Sequence, residues 1–209
     1  MLTIYGFNSF NPFKVVATAE ELGLDYDYKF VNLGKQENTT AAYAGKHPFG
    51  KVPALEHDGH CIAESAAICR YLARISDNKL YSSAPAKAAE IDSILDIMNI
   101  HIGRWMANYF WQEIVCPTYF DKAPDQDVLA EAKGWLDKQL PAIEQRLSEN
   151  QFICGDEITL ADPFALAYFM IKEQTSIDIS AYPDIERWYA EMLARPAIQK
   201  ANKDVYNAQ

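Results

Sequence analysis

The sequence predicts an α/β domain over residues 1–78 followed by an all-helical domain over residues 87–209. Three observations carry this. Strand and helix patterns alternate up to about residue 76. A polar, turn-rich stretch follows from Ser76 to Pro85. Beyond it nearly every apolar residue falls on a helical period.

The elements follow in order. Leu2-Thr3-Ile4-Tyr5 reads as a strand. Phe13, Val16, Ala17 and Leu22 have helical spacing, and Gly23 is a stop signal. Asp27 to Val31 alternates polar and apolar residues, as a half-buried strand does. A polar loop, Gly34 to Thr40, comes next. In His47-Pro48-Phe49-Gly50-Lys51-Val52-Pro53-Ala54-Leu55, Phe49-Gly50 is a turn and Pro53 pushes Val52 towards extended backbone. Asp58-Gly59 closes a hairpin. From Glu64-Ser65 an apolar helical pattern runs through Ala66, Ile68, Cys69, Leu72 and Ala73. This βαβ-then-ββα order is that of a thioredoxin-like domain with a mixed sheet. In the second domain, helices are expected over Lys87–Trp111 and Gln126–Glu149, then from near Thr159 and near Pro183. Thr159 and Asp162 have capping-box spacing, which points to a structural role.

Composition narrows the function. Apolar residues make up 49% of the 209, enough for packed cores. A net charge of −10 disfavours a nucleic-acid partner, which needs a cationic face. No apolar run approaches the ~18 residues of a membrane helix, and the first residues lack the basic start of a signal peptide. A cytoplasmic protein without membrane association is the expectation. The four cysteines, Cys61, Cys69, Cys116 and Cys154, match no zinc spacing and read as reduced thiols, so no metal is expected.

Two segments can carry chemistry. Ser65 at a helix start offers a hydroxyl and open backbone N–H groups to a carboxylate, and the Val52 backbone edge can pair with a peptide-like ligand. Asn8 to Val15 joins the first strand to the first helix, where α/β folds place ligands. Ser9 and Asn11 there are donors suited to a thiolate. A free thiol titrates near ~8.5, and lowering that by ~2 units takes ~2.7 kcal/mol. One or two charge-assisted hydrogen bonds of ~1.5–3 kcal/mol supply it.

These segments resemble the glutathione-binding half of the cytosolic glutathione transferase family, and the layout of the whole chain is similar to that family's. The resemblance implies that Val52 lends its backbone to the cysteinyl part of glutathione, that Pro53 is cis, and that Glu64 and Ser65 hold the γ-glutamyl carboxylate. Lys51, then Lys35 and Gln36, are candidates for the glycyl end. Ser9, six residues before Val15, resembles the thiolate donor of the serine-type enzymes, with Asn11 as auxiliary. Asn11 also resembles a disulfide-reductase-like group. Phe10, Phe13, Met106, Tyr109 and Phe110 are expected to wall a pocket for a small hydrophobic electrophile. The resemblance implies glutathione as co-substrate and a homodimer formed through Ile62–Tyr71 and the first helix of the helical domain. The expected function is transfer of glutathione to an electrophile. A glutathione-dependent disulfide or peroxide reductase and a non-catalytic binding protein on the same scaffold stay open as alternatives.

Overall fold

One strand organises the first unit. In the computed structural model, which describes residues 1–208, β1 (Leu2–Gly6) buries Leu2, Ile4 and Gly6 on one face and is paired along both edges. Helix α1 (Phe10–Leu22) carries the chain over to β2 (Tyr26–Phe30), which runs parallel to β1. β3 (Ala54–His57) runs antiparallel along the other edge of β1, and β4 (His60–Ala63) is antiparallel to β3. The order is β2-β1-β3-β4. Helix α2 (Ser65–Arg74) follows β4 directly.

α1 starts three residues before the predicted Phe13. Pro12 falls in its first turn, where the missing N–H is no loss. Phe13, Val15, Val16, Ala17 and Ala19 are fully buried. Gly23 ends the helix in the left-handed conformation (φ 68°), and the N–H groups of Gly23 and Leu24 close on Glu20 O and Ala19 O.

The second unit begins with a helix that the sequence predicts as continuous from Lys87 to Trp111. It is α3 (Pro85–Asp96), a π-helical turn over Ile97–Ile102, α4 (Gly103–Tyr109), a second π turn over Phe110–Val115, and α5 (Cys116–Phe120). Pro117 therefore does not break the chain direction, because it enters where the regular ladder is already interrupted. At Gly103 an added Cβ would lie 2.2 Å from Met98 O and 2.4 Å from the Tyr168 ring, so only glycine allows that approach. Then come α6 (Gln126–Glu149), α7 (Ala161–Phe169) and α8 (Pro183–Ala194).

The periodicity does not separate one further helix, α9 (Pro196–Tyr206), which starts with proline at its first position. The compact units are Met1–Ser83 together with the chain from Leu193 onward, and Ala84–Met192. α9 thus belongs with the strands, whereas the predicted division puts all of 87–209 in the helical domain. Charge holds it there. Arg195 binds Glu21 through Nε and Nη2 at 2.6 and 2.7 Å, Lys200 reaches Glu20 at 2.6 Å, and Tyr26 Oη lies 2.5 Å from Glu20 and 2.9 Å from Asp204. Tyr206 packs on Phe13 with ring centres 6.0 Å apart.

Asp162 holds the second unit. Its carboxylate is fully buried and accepts from Ile153 N (3.0 Å), Thr159 N (2.8 Å), Thr159 Oγ1 (3.2 Å) and Trp188 Nε1 (3.1 Å). It ties the start of α7 to the preceding loop and to α8. Asp162→Ala leaves these donors buried without an acceptor, each at about 1–3 kcal/mol. Urea unfolding should show a loss of at least ~3 kcal/mol; a loss under ~1 kcal/mol would contradict this role.

Candidate functional site

The strand register brings the predicted site segments together. Tyr5 of β1 pairs with Ala54 of β3, and Ala54 pairs with Ala63 of β4. Past that row, β1 runs into Phe7–Asn11, β3 is entered from Val52-Pro53, and β4 leads into Glu64-Ser65. Adjacent strands are ~4.8 Å apart, so the three segments meet at one edge of the sheet. Gly6 makes room there. An added Cβ would lie 2.4 Å from Tyr28 Oη and 2.8 Å from Pro12 Cβ, so a side chain would push α1 away.

Ser9 is the N-cap of α1, with extended backbone (φ −148°, ψ 167°). Its carbonyl takes the first helical bond from Phe13 N at 3.2 Å. Its hydroxyl makes no capping bond and has no partner among the described residues. An N-cap hydroxyl bonds the second or third helical N–H, and Pro12, the third residue here, removes one of those two donors. Asn11 is not a cap either: its Oδ1 accepts from Lys14 Nζ at 2.8 Å.

The Val52–Pro53 bond is cis. The Val52 side chain packs on the cluster of Val31, Tyr43 and Ala54, while its backbone N–H and C=O make no backbone hydrogen bond among the described residues. Tyr43 Oη donates to Lys51 O at 2.7 Å and Asn38 Nδ2 to Gly50 O at 2.7 Å, which hold the approach to Val52. The Lys51 side chain is exposed.

Glu64 has φ 69° and ψ 117°, a conformation that strains a residue with a side chain by about 1–3 kcal/mol. It turns the chain from β4 straight into α2 and leaves the carboxylate exposed. His47 Nε2 lies 3.7 Å from Glu64 Oε1. His47 itself is buried, accepts at Nδ1 from Phe49 N (3.1 Å), and burial lowers its pKa below the ordinary 6.5. It is a neutral loop anchor, with its remaining proton on Nε2. Ser65 is the first residue of α2. Its hydroxyl has no partner among the described residues, and the first helical bond is Ile68 N to Glu64 O. The turn thus presents a hydroxyl and open N–H groups in one place.

Other predicted residues lie elsewhere. Lys35 and Gln36 are exposed on a turn, with Lys35 N bonded to Asn32 Oδ1 and Gln36 left-handed at φ 56°. Tyr5 donates its hydroxyl to Glu56 at 2.8 Å. Of the expected pocket residues, Phe13 and Met106 have no exposed surface, so both are core and neither walls an open pocket. Phe10 and Phe110 are half-buried. Tyr109 lines a cleft of about 440 Å³ with Glu113, Leu129 and Lys133. The large apolar side chains exposed on the helical unit include Ile100, Trp111, Tyr119, Phe120 and Trp135, with the Trp111 and Phe120 rings 5.8 Å apart. Phe120 carries no helical-stripe signal, because it ends a helix. Cys69 is fully buried, and burial pushes its thiol up to about 11, so it is no nucleophile. No group of three or more metal-ligating side chains occurs among the described residues, and no helix there is long and apolar enough to cross a membrane.

The N-terminal domain of glutathione S-transferases matches residues 1–74, and their C-terminal domain matches residues 100–196. A probable glutathione S-transferase GSTF2 from Oryza sativa subsp. japonica is 30% identical, over 95% of this chain and 94% of its own length. The fold is also that of glutathione transferase F2 from Populus trichocarpa, with a TM-score of 0.91 at 27% identity and all of both chains covered. Glutathione S-transferase I from mais, solved in complex with an atrazine glutathione conjugate, gives 0.88 at 27% identity over 96% of each chain. With a relative at this identity along nearly its whole length, and both domains matched in order, the chain belongs to the glutathione S-transferase family.

Proposed function

We propose that the protein binds glutathione at the sheet edge of the first unit and transfers it to a small hydrophobic electrophile. One observation carries this reading: an unpaired Val52 backbone edge stands one strand away from the free Ser65 hydroxyl and the open N–H groups of α2. A tripeptide with a carboxylate at its γ-glutamyl end satisfies both. Val52 pairs with the cysteinyl backbone, as Pro53 fixes the edge. Ser65 and the helix start take the γ-glutamyl carboxylate, which the dipole of α2 favours, and Glu64 faces its ammonium. Lys51 takes the glycyl carboxylate.

The sulfur then falls beside Ser9, whose hydroxyl is unspent. A hydrogen bond to the thiolate favours the charged form and lowers the thiol pKa. The reaction needs only an electrophile held in line. A relative solved with an atrazine glutathione conjugate supports a small apolar electrophile. Four free thiols fit a reducing, cytoplasmic setting. A homodimer belongs to the same reading, supported by Phe49, a large apolar side chain 76% exposed on the loop before Val52.

Calorimetry tests the binding. Glutathione should occupy one site per chain, and Ser65→Ala should weaken it by ~1.5–3 kcal/mol through the lost bond to a charged group. No heat at millimolar glutathione would end this reading. Ser9→Ala should leave glutathione affinity nearly unchanged, raise the thiol pKa of bound glutathione, and lower kcat/KM roughly ten- to a hundred-fold. If only Asn11→Ala moves the thiol titration, Asn11 is the donor and the disulfide-reductase reading leads. Light scattering at micromolar concentration should give twice the 23.6 kDa chain mass, and Phe49→Lys should return it to 23.6 kDa; a wild-type monomer would exclude the dimer.

A further inference from the structure

Lys14 has no part in the site as described so far, yet it is a charged side chain with no exposed surface, set one turn from the thiolate loop. Its Nζ donates to Asn11 Oδ1 at 2.8 Å and lies 5.6 Å from the centre of the Phe10 ring. Glu64 and Cys69, at and in α2, are the titratable groups that act on it. Both favour its charged form, but burial outweighs them and holds its pKa well below the ordinary lysine value. Cys69 is a neutral thiol, whose Sγ donates to Lys14 O and accepts from Thr18 Oγ1.

Stability does not explain a lysine here. The hydrogen bond to Asn11 does not by itself offset the cost of taking an ammonium out of water. A methionine of similar length would fill the same space. What the pair determines is direction. A carboxamide has acceptors at one end and donors at the other, and Lys14 Nζ donates to the acceptor end. Lys14 therefore takes the Oδ1 end of Asn11 and leaves Nδ2 turned away from itself. Asn11 is the second residue of α1, half exposed and two positions after Ser9. Its donor end is left for whatever arrives at the helix start.

We propose that Lys14 is a positioning residue for the thiolate, holding the Asn11 amide so that Nδ2 donates to the sulfur of glutathione bound beside Ser9. This rests on the glutathione reading above. Lys14 touches neither the sulfur nor the electrophile. It acts by orienting the amide and by polarising it through Oδ1, which strengthens the donor at the other end.

The thiolate absorbance of bound glutathione, titrated against pH in the full-length protein, tests this beside calorimetry with S-methylglutathione, which has no ionisable thiol. Lys14→Met should raise the thiol midpoint by about one unit and lower kcat/KM about tenfold, with S-methylglutathione affinity changed less than about twofold. Lys14→Arg, which keeps a donor on Oδ1, should restore the midpoint. In an Asn11→Ala background Lys14→Met should add no further shift, because the lysine acts through the amide. An unmoved midpoint in Lys14→Met, or an equal shift in the Asn11→Ala background, overturns the proposal while leaving glutathione binding intact. A wild-type protein that binds no glutathione ends both. Should Lys14→Met not fold, Lys14→Arg decides: a midpoint one unit above wild type with the Oδ1 donor still present is the overturning result.

Discussion

The site depends on where the strand ladder stops. β1 is bonded on both edges as far as Tyr5, and Ala54 and Ala63 end the same row on β3 and β4. Just past that row three segments emerge side by side, with the Val52 backbone and the first N–H groups of α2 unspent. Gly6 allows α1 to begin at once, because Tyr28 and Pro12 occupy the space a side chain would need. Pro12 in turn removes one of the two N–H groups that Ser9 could cap. Glu64 accepts a strained backbone so that β4 passes into α2 without a loop. At this place the Ser9 and Ser65 hydroxyls and the Val52 backbone are left open.

The backbone elements of the first unit were legible because their signals are local. Alternation marks β1 and β2, Asp58-Gly59 marks the hairpin, and Gly23 marks the end of α1. The local geometry at Val52, Glu64 and Ser65 was legible for the same reason, since a proline, a turn and a helix start sit in a fixed sequence. What was not legible depends on contacts distant in sequence. The π turns within 97–115 leave the apolar stripe intact, so periodicity reads through them. Phe13 and Met106 show the opposite problem. An apolar residue near a site and an apolar residue in the core carry the same sequence signal, and only burial separates them. The role of α9 was hidden too, because Arg195 and Glu21 meet from 174 residues apart.

The two units are held by different chemistry. In the helical unit a single carboxylate, Asp162, gathers donors from the loop, α7 and α8 where water does not reach. In the first unit charge works at the margin of the core. Glu20 and Glu21 pair with Lys200 and Arg195 on α9, with the glutamates largely covered and the cations partly open. Lone surface pairs contribute little, but these act beside the Tyr206–Phe13 contact and the shared Tyr26 hydroxyl. They fix which face of α9 lies on α1.

The position of α9 also bears on synthesis. Because the first unit is completed by the chain from Leu193 onward, the helical unit is in effect an insertion within it. A ribosome makes the four strands and α1 before the helix that covers α1. The helical unit has all its residues available before the glutathione-binding unit does. During translation the α9-facing side of α1, including Phe13, therefore stays uncovered until α9 emerges.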